Sequence, residues 1–195
     1  MFSSTGSNIQ DKIWKLVPAN LNWNGRGLVL DIGCGNGPLM IRLLHRYPKA
    51  QVVGTDYWDG SWEYGRSVCE ENGKIEGVAE RLTFQKASAS SLPFENEHFD
   101  AVVSNLMFHE VSDTQDKRAI IREALRVLKK GGKFCFQDLF LIKSMYGETE
   151  DLIATLQSWG VKKVQFINTS RCEFIPGALK LPFMVGMMGI ICGEK

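Results

Sequence analysis

The sequence has almost no excess charge: 23 Lys and Arg stand against 22 Asp and Glu. That balance leaves no electrostatic footprint for nucleic-acid binding. The five cysteines (Cys34, Cys69, Cys135, Cys172 and Cys192) are odd in number and widely spaced, and no C-x-x-C occurs. Neither a disulfide framework nor a zinc site is indicated, and reduced, mostly buried thiols are expected. The three histidines, His45, His98 and His109, share no metal-ligand spacing, so no metal is expected. Met1–Asn8 is polar and has no signal-peptide hydrophobic region. The apolar stretch Phe174–Cys192 is interrupted by Pro176, Pro182, Gly177, Gly186 and Gly189. A membrane helix needs about 20 apolar residues, so a loop running into a buried strand is expected instead. These absences predict a cytoplasmic chain with no membrane insertion. With 195 residues, 44% of them apolar, and no repeat or low-complexity tract, one domain with a real core is expected.

Ser7-x-x-Gln10 forms a capping-box pattern, and Ile9, Ile13, Leu16 and Val17 make one apolar stripe. A short helix ending before Pro18 is expected. Strands are predicted near residues 27–32, 51–55, 81–86, 101–104 and 134–137. Helices are predicted near 38–47, 61–72 and 113–130, the last ended by Gly131-Gly132. A helix near 149–159 and strands near 163–167 and 185–192 complete the pattern. Alternating strands and helices imply an α/β fold with a doubly wound parallel sheet. The expected organisation is a helical arm over 1–24, a ligand-binding core over 25–140, and a segment over 141–195 that completes the sheet.

The most informative segment is Leu28-Val29-Leu30-Asp31-Ile32-Gly33-Cys34-Gly35-Asn36-Gly37. An apolar strand breaks at Asp31 into alternating glycines, and a helix-like run follows at Pro38. Glycines at every second position let a ligand lie directly on the backbone where a strand turns into a helix. The spacing is G-x-G-x-G, not the G-x-G-x-x-G of dinucleotide sites. Asp31 at the turn disfavours phosphate and suits a cation such as an amino or sulfonium group. Asp56 lies about 20 residues downstream at the end of the second strand, where a carboxylate accepts hydrogen bonds from both ribose hydroxyls.

Further segments extend the pattern in order: Val52-Val53-Gly54-Thr55-Asp56, Ala87 to Phe94, Phe99 to Asn105, and Glu123 to Lys133. Over roughly residues 25–140 the chain resembles the class I S-adenosylmethionine-dependent methyltransferases. It is most similar to the small-molecule type represented by the quinone-biosynthesis C-methyltransferases. The resemblance implies a Rossmann-like, seven-stranded, mostly parallel sheet with helices on both faces. Its last strand would be antiparallel, between the fifth and sixth.

It also implies S-adenosyl-L-methionine as cofactor and methyl transfer to a small, partly hydrophobic acceptor. Gly33, Cys34, Gly35 and Gly37 would pass under the methionine part, and Asp31 would receive its amino group directly or through water. Asp56 would hold the ribose, and Tyr57 and Trp58 would flank the nucleoside, with Trp62 and Tyr64 adding further rings. Ser88 and Ala89 would meet the adenine, and Ser104 and Asn105 the methionine side. Ser88 departs from the pattern, since many relatives carry an aspartate there that meets the adenine amino group. His109 and Glu110 follow the fourth strand, where a base would face the transferred methyl. A neutral-range imidazole suits that task. The alternative for His109 is packing, or a hydrogen bond to a loop carbonyl. Phe2, Trp14, Trp23, Phe140, Met145, Tyr146 and Phe174 would supply apolar surface to the acceptor. Two other functions remain open on sequence: an NAD(P)-dependent oxidoreductase, opposed by the glycine spacing and Asp31, and a noncatalytic S-adenosylmethionine-binding module.

Overall fold

The computed structural model describes residues 9–58, 65–181 and 185–195. Ser7, Phe2, Trp62, Tyr64, Pro182 and Phe183 lie outside the described residues. The elements run α1 (Ile9–Asn20), β1 (Arg26–Ile32), α2 (Pro38–Arg46), β2 (Lys49–Asp56), α3 (Arg66–Ile75), β3 (Leu82–Lys86) and β4 (Phe99–Asn105). They continue with α4 (Lys117–Val127), β5 (Leu128–Asp138), α5 (Lys143–Tyr146), α6 (Thr149–Ser158), β6 (Lys163–Ile167) and β7 (Gly189–Glu194).

The strands form one seven-stranded sheet in the order β3-β2-β1-β4-β5-β7-β6. The pairs from β3 to β5 are parallel, and β7 runs antiparallel to both β5 and β6. The expected doubly wound sheet, with its antiparallel last strand between the fifth and sixth, is what forms. Strand alternation sends successive side chains to opposite faces. Leu30, Val102, Phe134 and Phe136 pack with Ile120, Ile121, Leu152 and Leu156 of α4 and α6. Val29, Val52, Ala101, Val103 and Cys135 pack with Val17, Leu39, Met40, Leu43 and Leu44 of α1 and α2. The chain order reverses between β1 and β4, and in open α/β sheets ligands bind at the carboxyl ends beside such a reversal.

Several boundaries differ from expectation: α3 runs on to Ile75, α4 starts only at Lys117 and β5 already at Leu128. Helix α1 runs through Pro18 to Asn20. Its last turn is supported by side chains: Asn20 Nδ2 donates to Leu16 O at 2.8 Å, and Tyr47 OH donates to Pro18 O at 3.2 Å. Helix α4 stops at Val127, so Gly131-Gly132 does not end it but lies inside β5. The helix end is held instead by Lys195, whose Nζ donates to Leu125 O at 2.9 Å and Leu128 O at 2.8 Å. That is a favourable place for a cation, and no local pattern reveals it. Finally, β7 begins at Gly189; Val185 to Met187 form a turn. Among the described residues, no helix is long and apolar enough to cross a membrane, and no cluster of His, Cys, Asp and Glu could hold a metal ion.

Candidate cofactor and acceptor site

A cavity of ≈ 1010 Å³ opens at the carboxyl ends of β4, β1, β2 and β3. Its floor is the turn after β1. Gly33 N and Cys34 N both donate to Thr55 O of β2, at 2.7 and 3.0 Å, which bends the chain sharply off the sheet. Gly33 takes a positive φ of 74°, and a Cβ there would lie 2.1 Å from Met107 Cγ. Gly35 and Gly37 also have positive φ, 53° and 79°, but a Cβ on either would meet nothing within 4 Å. Their bare backbone faces open space, which is the geometry a ligand lying on the loop requires.

Several buried polar atoms around this turn lack protein partners. Among the described residues, the buried side-chain atoms with no hydrogen bond include both Asp31 oxygens, Asn36 Oδ1, Trp58 Nε1 and Asn105 Oδ1. Buried polar groups are rarely left unpaired, so a cluster of them marks a place for a ligand. Asp31 is 1% exposed and sits beneath the loop, not among the residues of the cavity wall. Burial, and secondarily the Asp56 charge, pushes its pKa up to about 8. Asp56 does line the cavity. Its carboxylate accepts from Gly35 N at 2.9 Å and from Trp58 N at 3.2 Å, so the glycine loop and the end of β2 fix its orientation.

Tyr57, Trp58, Ser88, Ala89, Asn105 and Glu110 also reach the cavity, as do Gly33, Cys34 and Gly35. Trp58 packs edge-on against Phe84 with ring centroids 6.3 Å apart, whereas Tyr57 is exposed beneath Lys86. Ser104 is not brought to the wall. It is fully buried, and its Oγ donates to Ile32 O at 2.8 Å, tying β4 to β1. The Ser88 hydroxyl is committed to Asp113 Oδ2 and Ser90 Oγ. Of the described aromatic and methionine residues expected around an acceptor, only Trp14 lines the cavity. Phe140 and Tyr146 pack edge-on against each other in the core, with centroids 4.8 Å apart. Ile41, Leu106, Met107 and Val111 provide the apolar wall instead.

His109 follows β4 in a short 3₁₀ turn; it is not itself part of the cavity wall, whereas its neighbour Glu110 is. Its Nδ1 lies 2.8 Å from Asp138 Oδ1 and its Nε2 3.0 Å from Glu110 Oε1. Asp138 is fully buried at the end of β5 and also accepts from Phe108 N at 2.8 Å, Leu139 N at 2.6 Å and Tyr146 OH at 3.2 Å. The His109 ring therefore bonds to a carboxylate, not to a loop carbonyl. Burial alone would lower its pKa, but the hydrogen bond and charge of Asp138, joined by Glu110, outweigh this and raise it above the ordinary value. Sequence does not single out Asp138 or Asp113, and it offers Tyr146 only as apolar acceptor surface, whereas its hydroxyl donates to Asp138 in the core. Asp138 and Asp113 act through partners 29 and 25 residues away, with no spacing that signals them.

Residues 29–132 match the family model described as "Methyltransferase domain". The chain belongs to this methyltransferase family. Membership assigns S-adenosylmethionine as the cofactor, and the bare glycine loop, the unpaired polar atoms and the fixed Asp56 carboxylate fit it. The ubiquinone/menaquinone biosynthesis C-methyltransferase UbiE of Desulfotalea psychrophila is 32% identical over 125 residues, covering 64% of this chain and 46% of that protein. The chain spans about half the length of the curated relatives it matches. Two solved structures share the fold. The [4+2]-cyclase SpnF has a TM-score of 0.69 at 19% identity, covering 95% of this chain and 81% of its own. A geranyl diphosphate methyltransferase in complex with SAM has a TM-score of 0.67 at 13% identity, covering 94% and 84%. The cyclase shows that this methyltransferase-type fold also appears under a different named chemistry, so the site must carry the functional argument.

Proposed function

We propose that this chain transfers the methyl group of S-adenosylmethionine to a small, partly hydrophobic acceptor, with His109 as the base. The carrying observation is the His109–Asp138 pair, adjoining Glu110 of the wall of a cavity whose floor includes the bare Gly35 backbone. When bound, the cofactor supplies a methyl group on a sulfonium, already a good leaving group. The protein's task is then to align acceptor and methyl, exclude water and take up a proton where the acceptor must lose one.

In this reading Asp56 binds the ribose hydroxyls, the glycine loop receives the amino-acid end with the Asp31 carboxyl beneath it acting through the loop or a water, and Asn105 borders it. Tyr57, Trp58 and Ala89 flank the nucleoside. Ile41, Leu106, Met107 and Trp14 form the apolar wall met by the acceptor. Asp138 holds His109 Nδ1–H, which leaves Nε2 as the basic atom. Glu110 occupies Nε2 when His109 is protonated and must swing aside for an acceptor.

The test is incubation with methyl-labelled cofactor and a fractionated metabolite extract. Label should enter an extractable small molecule. Cofactor binding with no transfer to any fraction would favour the noncatalytic module instead. For the nicotinamide alternative, millimolar NAD should fail to displace S-adenosylhomocysteine; effective displacement would sink the assignment.

Asp56→Ala should weaken S-adenosylhomocysteine binding about a hundredfold or more in a protein that stays folded. Two hydrogen bonds to a charged acceptor are lost, at roughly 1.5–3 kcal/mol each before non-additivity. The Gly35 and Trp58 amides also lose their acceptor. Calorimetry showing unchanged affinity would remove Asp56 from the ribose site.

A further inference from the structure

We infer that Asp113, carried on the hydroxyls of Ser88 and Ser90, reads the exocyclic amino group of the cofactor's adenine. The inference rests on the cofactor assignment above and adds a residue on an element outside the glycine turn. The cavity crosses the ends of four strands in sheet order, from Asn105 after β4, over the β1 turn, past Asp56 on β2, to Ala87–Ala89 after β3. An extended ligand with its amino-acid end on the glycine turn and its ribose at Asp56 must place its base at the β3 end. The wall there is made by Ser88 and Ala89 on one side and by Val111, Ser112 and Asp113 on the other.

At that end Asp113 is the anionic group, and it is held in place. Asp113 Oδ2 accepts from Ser88 Oγ and, at 2.8 Å, from Ser90 Oγ; the two hydroxyl oxygens lie 2.9 Å apart. The hydroxyl of Ser88, and then that of Ser90, lowers the Asp113 pKa, so the side chain is an anion at neutral pH. A carboxylate offers about four acceptor positions; the two serine hydroxyls take two on Oδ2 and its own backbone amide adds a third contact, which still leaves room for one more donor. An ionised acceptor-only group favours an amino group and repels a carbonyl oxygen. It therefore distinguishes adenine from a base with oxygen at the same position. Ser88 contributes no charge itself; it positions one from the loop before α4.

The test compares S-adenosylhomocysteine with S-inosylhomocysteine, in which oxygen replaces the amino group. Calorimetric titrations are made on the wild type, Asp113→Ala, and the Ser88→Ala/Ser90→Ala double variant. The wild type should prefer the adenosyl ligand by about 10- to 100-fold, the size expected for a hydrogen bond to a charged group. Asp113→Ala should bring that ratio to within about threefold, mainly by weakening the adenosyl ligand, and the double variant should fall between. Equal losses for both ligands in Asp113→Ala would overturn the inference, because a residue that only shapes the loop cannot tell the bases apart. Equal affinity of the wild type for both ligands would overturn it too, leaving the cofactor site intact. If the wild type bound neither ligand, the cofactor assignment would fall and the inference with it.

Discussion

Replacing His109 with Ala is expected to reduce single-turnover methyl transfer about 10²–10⁴-fold, the usual range for a lost general base, with S-adenosylhomocysteine affinity almost unchanged. His109 bonds to Asp138 and Glu110, not to Asp56 or the glycine turn, so its removal should act on the chemical step. Its raised pKa fixes the sign of the pH dependence. A base works in its neutral form, so the rate should climb as pH rises through a value above 6.5 and then level off. Glu110→Gln removes one of the charges that raise this value and should move the climb to lower pH with little loss of the plateau. Asp138→Asn should also shift it downward, and should lower the plateau because the amide no longer fixes the ring through an ionised acceptor. The same charges make protonated His109 a stabilising element. That contribution is complete below the unfolded value near 6.5 and disappears as pH rises through the folded value. A wild-type profile flat between about pH 6 and 9, with His109→Ala near full rate, would remove the base and leave alignment as the protein's whole contribution.

The parts of the candidate site that are legible in the sequence are those where one short segment lines the cavity with its own backbone. Gly33, Gly35 and Gly37 stand out because alternating glycines after an apolar strand have few other physical reasons to exist. Asp56 stands out because it ends the neighbouring strand. The groups that complete the site are built from distant segments. Asp138 closes β5 as one more polar residue after an apolar strand, and its role depends on β5 lying beside β4, which brings it under His109. Asp113 lies in a polar loop where an acid is unremarkable until β3 brings Ser88 and Ser90 to it. Phe140 and Tyr146 illustrate the converse: their apolar bulk suits a pocket or a core equally, and packing against α4 and α6 puts them in the core. The same limit explains α4. Its apolar period continues past Val127, but pairing of Leu128 with Phe99 turns those residues into strand.

Asp31→Asn is expected to flatten the pH dependence of the unliganded protein's stability. Between the ordinary carboxyl value near 3.8 and the folded value of about 8, the folded state holds a proton on Asp31 that the unfolded state has released. Stability therefore falls as pH rises through this window, by up to about 1.4 kcal/mol per pH unit from this residue, and levels off above it. From pH 5 to 8 that amounts to a loss on the order of 4 kcal/mol, which urea unfolding should show as a steeper decline in wild type than in Asp31→Asn. Groups common to both proteins cancel in the difference, and any fixed cost of burying the asparagine changes the offset but not the slope. Cofactor binding supplies the second half of the test. An ammonium group brought near Asp31 favours the carboxylate, so binding at pH 7 should release on the order of one proton. Calorimetry in buffers of different ionisation enthalpy should record that release in wild type and lose it in Asp31→Asn. Parallel stability curves together with equal proton release would show that the Asp31 carboxyl neither titrates in this window nor meets the cofactor's cation. The buried, unpaired acid beneath the glycine loop would then be only a strut of the β1 turn.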